Sequence, residues 1–163
     1  MNIFLDTNIL LNDFFHRNPD FGFQRISGEE QAREVSKYRE LVSEALLFLS
    51  LQKGVQVFCS SSIISRFAAV LGDLLVPPDL VLEEIQHWLS NLKLLDITSN
   101  DLQIALDKME SSTTKLDFDD YLLKHIFVEN QIDLLVTSIP KSREFFWPIL
   151  VFKPEKIREL TFN

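Results

Sequence analysis

Residues 2–10 read Asn2-Ile3-Phe4-Leu5-Asp6-Thr7-Asn8-Ile9-Leu10. A short, mostly apolar run closed by an acid suits a strand buried on both faces of a parallel sheet. Thr7 and Asn8 are good helix starters. Ile9, Leu10 and Leu11, followed by Phe14 and Phe15, predict a short helix over 7–15. An acid placed directly after apolar strand residues is costly to bury, so Asp6 reads as a functional group and not a decorative one.

The same alternation continues along the chain. His16 to Gly28 reads as a loop, with Pro19 and Gly22 inside it. Apolar residues at helical spacing (Val35, Tyr38, Leu41, Val42, Ala45, Leu46, Leu49) predict a helix over 29–53 that Gly54 ends. Val55 to Cys59 predicts a strand, and Ser60-Ser61-Ser62 caps a helix to Leu71. After Pro77-Pro78, Asp79 is placed to cap a helix to about Asn91, and residues 92–97 predict a third strand. Thr98 with Asp101 resembles a capping box for a helix over 99–110. Residues 111–115 read as a polar loop, 117–130 as a helix and 133–137 as a strand. Residues 149–152 form a last apolar stretch before a small helix opened by Pro154. Strands separated by helices predict a three-layer α/β/α arrangement with a central, mostly parallel sheet. At 163 residues, without internal repeat or linker, the chain is expected to be a single domain.

Composition bounds the function. No apolar run reaches the roughly 18–20 residues of a membrane helix, and the first residues lack the basic region of a signal peptide. A single cysteine, Cys59, excludes an internal disulfide. These features together favour a cytoplasmic protein with no membrane partner. No Gly-rich phosphate loop is present, which argues against a nucleoside-triphosphate enzyme. The net charge of −8 opposes loose binding to nucleic acid, because that affinity comes from Lys and Arg neutralising phosphates. A bound divalent ion would invert the field locally.

In open parallel sheets, ligands gather at the carboxyl ends of the strands. Asp6 closes the first predicted strand, the acidic run Asp117-Phe118-Asp119-Asp120 opens a late helix, and Thr137 closes the strand after it. Asp117 and Asp120 lie three apart and share a helix face. Such carboxylates suit Mg²⁺, which takes oxygen ligands and keeps several waters. The opposing reading is that acids in a first helical turn only complement the dipole, and it weighs most on Asp119. His16, His87 and His125 share no ligand spacing and read as surface or partly buried residues. Trp88 and Trp147 read as core or interface residues. Arg17, Arg25, Arg33, Lys37 and Arg39 would form a basic rim, but intervening glutamates favour a solvated helix face.

The pair of motifs resembles the PIN-domain nucleases, of the toxin-type ribonuclease branch. Asp6-Thr7-Asn8 behind an apolar strand is similar to that family's opening. Leu116 to Tyr121, followed by a helix and Asp133-Leu134-Leu135-Val136-Thr137, is similar to its acidic helix and final strand. The ending Pro148-Ile149-Leu150 to Ile157 matches its tail, so the resemblance spans nearly the whole chain. It implies an endoribonuclease dependent on Mg²⁺ or Mn²⁺, with an RNA substrate, an antitoxin protein as partner and a homodimeric state. Carried over by position, Asp6 and Asp120 would be metal ligands and catalytic residues, with Asp117 a third acid. Asn8 and Thr137 would support them. Two departures are visible. The stretch Ser62 to Phe67 has no glutamate where many members carry one, leaving Ser65 as a weaker polar group. The residues after Thr137 supply no acid, and Glu144 is the next one along. The missing glutamate and the acidic composition favour a second reading, a catalytically degenerate PIN-like module that binds RNA or a protein; Asp6 at the end of a first strand raises a third, an aspartate-nucleophile phosphatase. The latter usually needs an acid where Asn8 stands.

Overall fold

The computed structural model describes residues 1–22, 28–114, 116–139 and 143–160. Five strands, β1 (Asn2–Leu5), β2 (Gln56–Ser60), β3 (Lys93–Leu95), β4 (Leu134–Val136) and β5 (Leu150–Phe152), form one sheet in the order β3-β2-β1-β4-β5. Every pairing is parallel. Between them run α1 (Thr7–Arg17), α2 (Pro19–Gly22), α3 (Glu29–Ser50), α4 (Ser61–Asp73), α5 (Pro78–Asn91), α6 (Ser99–Ser111), α7 (Phe118–Glu129) and α8 (Arg143–Phe146). A 3₁₀ helix, Pro154–Glu159, follows β5.

The order of strands explains the layering. From β1 the chain steps to β2 and β3 on one side, then crosses back to β4 and β5 on the other. Right-handed crossovers in opposite directions put their helices on opposite faces. The packing agrees: α1 packs on α3 and α4, α4 on α5, and α6 on α7. Side chains of β1 alternate between the two layers. Phe4 meets Phe127 of α7 at 4.6 Å between ring centroids, while Leu5 lies beside residues of α1 and α3. Ile3, Phe4 and Leu5 are fully buried, as a central parallel strand requires.

Several boundaries differ from expectation, each for a local reason. The predicted loop from His16 is helical through Arg17 and again over Pro19–Gly22. Arg17 is held by a bidentate ion pair to Glu84 at 2.7 Å and a bond to Asp13 at 2.9 Å, which fastens the end of α1 to α5. Pro78, not Asp79, opens α5, because proline at the first helical position has no N–H to leave unsatisfied. The helix expected to reach Lys53 stops at Ser50, and Gly54 turns the chain with φ of 77°. The short helix α8 gave no periodic signal. Cys59 is buried in β2 as expected, and burial pushes its thiol up to about 12, so it is chemically inert at neutral pH.

The capping box stands as read. Thr98 accepts from the Asp101 backbone N–H at 3.3 Å, and the Asp101 carboxylate accepts from the Thr98 backbone N–H at 2.8 Å. Asp101 also accepts from the Thr98 hydroxyl at 2.6 Å and meets Nε2 of buried His125 at 3.0 Å. His125 is therefore a structural residue joining α7 to α6, more deeply buried than its sequence suggested. The Thr98 hydroxyl and backbone donors, with His125 beyond them, hold the Asp101 carboxyl below its ordinary value of 3.8. A lowered carboxylate pKa stabilises the fold above the ordinary value, and that contribution is lost as pH falls below it. Asp101→Asn is expected to cost about 1 kcal/mol at pH 7. The gap between variant and wild type should narrow below pH 3.8, read from denaturant midpoints at both pH values.

Candidate functional site

The strand order reverses between β1 and β4, and in parallel sheets such a switch point opens a crevice beyond the strands' carboxyl ends. Asp6 stands there, one residue past β1. Its backbone N–H still bonds Val136 of β4 at 3.1 Å, so its position is set by the sheet. Its side chain is the N-cap of α1, with Oδ1 accepting from Thr7 N–H at 2.8 Å. Oδ2 accepts from the Thr137 hydroxyl at 2.7 Å and from Asn8 Nδ2 at 3.0 Å.

The two supporting residues are themselves anchored. Asn8 Oδ1 accepts from Ser138 N–H at 2.8 Å, and Thr137 Oγ1 accepts from Ile139 N–H at 3.2 Å. Thr137 is buried, while Asp6 and Asn8 are half-buried. Asp6, Asn8 and Thr137, separated by up to 131 positions, thus form one hydrogen-bonded unit across β1 and β4. Three of the four lone-pair sites of the Asp6 carboxylate are engaged, which fixes its rotamer and leaves room for one further contact.

A cavity of about 430 Å³ opens beside Asp6, between the first turns of α4 and α7. Ser61, Ser62, Ser65 and Arg66 of α4 line one wall, and Phe118, Asp119 and Leu122 of α7 line the other. Ser65, singled out from the sequence, therefore shares the cavity with Asp6. Asp117 is exposed and caps α7 from outside it, its Oδ1 accepting from Asp120 N–H at 3.1 Å. Asp120 is buried in the first turn of α7, and Asp119 is the acid of that helix that lines the cavity. Among the described residues, no group of three or more His, Cys, Asp or Glu side chains is arranged to hold a metal ion. The donors present are carboxylate oxygens, which fit a hard divalent ion that keeps most of its water, not one stripped of it. The side chain of Glu144 lies outside the described residues.

Arg66 and Asp119 were not foreseen as a pair. Arg66 donates to Asp119 Oδ2 at 3.0 Å across the cavity. The pattern of α4 signals only the face: Ile63, Ile64 and Phe67 are buried, so Ser61, Ser62, Ser65 and Arg66 share the opposite side, and nothing in it marks Asp119. Two residues of the basic rim weighed from the sequence are committed elsewhere. Arg17 is locked in its ion pairs and Arg39 is buried over the Phe15 ring, while Arg25 lies outside the described residues. Trp88 is core, and Trp147 is exposed ahead of β5, whose first residues lie at the end of the sheet away from Asp6. A larger cavity of about 660 Å³ lies over the first residues of β2 and β3, beside α3 and α5. Its lining is mainly apolar and its Asp13 and Arg17 are bound to each other, so the smaller and more polar cavity, where Asp6 lies, is the candidate site.

No family model and no curated protein matches the sequence. Among solved structures, the chain is similar to VapBC2 from Rickettsia felis, bound to a DNA fragment from its promoter. That match has 14% identity and a TM-score of 0.61, and covers 94% of this chain and 98% of the other. It is also similar to VapC20 of Mycobacterium tuberculosis, a toxin that cleaves the sarcin-ricin loop. There the identity is 11% and the TM-score 0.50, with 88% and 92% covered. At such identities the likeness speaks for architecture, and it agrees with the five-stranded parallel sheet and its switch point: the chain has the PIN-like fold of the VapC structures.

Proposed function

We propose that this chain is a metal-dependent endoribonuclease of PIN type, acting as one domain and serving as the toxin of a toxin–antitoxin pair. The observation that carries the reading is the Asp6 carboxylate, held at the switch point by Asn8 and Thr137 and lining a cavity with the serines and Arg66 of α4. A carboxylate fixed so far from its unfolded freedom serves a purpose that a helix cap alone does not require. Mg²⁺ or Mn²⁺ would be held by Asp6 and Asp120, with Asp117 the third acid at the start of α7. When bound, such an ion polarises a phosphate and makes water a stronger nucleophile.

The chain's own residues do the rest. Thr137 and Asn8 donate to Oδ2 of Asp6 and so keep the carboxylate aimed. Asp117 accepts from the Asp120 N–H and sets the entry of α7 into the site. Water attacks the phosphorus, the bond to one ester oxygen breaks and that oxygen leaves as an alcohol carrying a proton from the water, while the buried Cys59 offers no competing nucleophile. The VapB and VapC neighbours support an antitoxin partner, and the resemblance supports a homodimer.

The test is cleavage of single-stranded RNA by the purified protein with Mg²⁺, with Mn²⁺ and with EDTA. Metal-dependent cutting that EDTA stops is the expected result. The absence of a three-acid cluster among the described residues favours a second reading, a degenerate module that binds RNA or a protein. That reading expects no cleavage with either ion.

A further inference from the structure

The two walls of the cavity differ in chemistry. Asp6 and Asp119 make one side acidic, while the α4 wall carries hydroxyls and one guanidinium. Arg66 is the one cationic side chain among the described residues that line it. Its tether is loose: a single contact to Asp119 at 3.0 Å, with the two side chains 63% and 53% exposed. An exposed ion pair of this kind is screened by water and contributes little to stability. Arg17 shows the opposite arrangement, with a bidentate grip on buried Glu84 and a further bond to Asp13. Arg17 is committed to the fold; Arg66 is not.

We propose that Arg66 is the phosphate-binding side chain of this cleft, and that Asp119 holds it in place until RNA displaces the pair. The proposal rests on the reading of the cleft as an RNA site and names the residue that receives the backbone. A guanidinium matches phosphate with two parallel N–H bonds, a better partner than one carboxylate oxygen in water. Ser61, Ser62 and Ser65 line the same wall, and the first turn of α4 presents backbone N–H groups without helical partners. The wall thus concentrates donors in a chain whose net charge of −8 repels phosphate elsewhere. A phosphate on Arg66 places the RNA backbone across the cavity from Asp6, with Asp119 released to solvent.

The experiment measures binding apart from cleavage. A fluorescent single-stranded RNA oligonucleotide is titrated by anisotropy over a salt series in EDTA, which withholds the divalent ion and so prevents cleavage. Arg66→Ala is expected to bind about tenfold more weakly, and the slope of log K against log salt to fall by about 0.7, the share of one phosphate contact on a single strand. Arg66→Lys should recover part of the affinity, since it restores the charge without the fork. Asp119→Asn should bind several-fold more tightly, because it frees Arg66 and removes a negative charge. All three should keep the wild-type melting temperature, as the pair is exposed. Unchanged affinity and slope in Arg66→Ala would overturn the proposal, as would weaker binding by Asp119→Asn or no binding by the wild type at low salt. Cleavage that depends on Asp6 while Arg66→Ala binds normally would sink this proposal alone. Binding that depends on Arg66, without cleavage, would instead remove the nuclease.

Discussion

Asp6→Asn is expected to lower RNA cleavage by about a hundredfold or more, the order lost when one charge-stabilising group is removed from a reacting centre. The substitution keeps the shape and removes the charge. Its amide nitrogen would also face the Nδ2 of Asn8 and the hydroxyl of Thr137, both of which donate to Oδ2 of Asp6. Donor against donor turns the amide or breaks one of these bonds, so the site loses its aim along with its charge. The cap on α1 survives in part, because an asparagine oxygen accepts from Thr7 as well. Thermal unfolding should therefore change little while activity collapses, and that contrast is the measurement. Thr137→Val provides the graded case: it removes the donor to Oδ2 and retains the volume, for an expected loss of about 10–100-fold. Wild-type rates in Asp6→Asn would assign any observed cleavage to another site or to a contaminant.

Phe4→Ala is expected to destabilise the protein by about 3–5 kcal/mol, since the ring leaves a cavity that the sheet cannot close. Phe4 is fully buried on the central strand, between β2 and β4, and packs on Phe127, which in turn lies 6.0 Å from Phe146. For a chain of this size the melting temperature should fall by about 6–20 °C. Phe4→Leu should cost less, because it refills part of the volume. Asp6 follows β1 by one residue past Leu5, so loosening the strand also disturbs the site, and cleavage by Phe4→Ala should fall well below its melting temperature. A melting temperature within a degree or two of wild type would contradict the packing described.

The fold and half of the candidate site were legible without coordinates. Residues 2–6 announced a buried parallel strand and its terminal acid because continuous apolar residues are tolerated only where both faces are covered. Thr98 and Asp101 announced a helix start because a capping box is local chemistry, complete within four residues. Asp6 and Thr137 were each readable as strand ends, and the strand order brought them to 2.7 Å. Other features were decided by tertiary structure alone. Nothing near Arg66 in sequence marks Asp119, 53 positions away, as its partner, and nothing near Arg17 marks Glu84. The sequence paired Asp117 with Asp120 on one helix face, yet Asp117 is an exposed cap, Asp119 lines the cavity and Asp120 is buried. A sequence specifies periodicity and caps because those forces act within a turn or two. Which charge meets which, and which acid faces a cavity, depends on how the layers pack, and that is set by the whole chain at once.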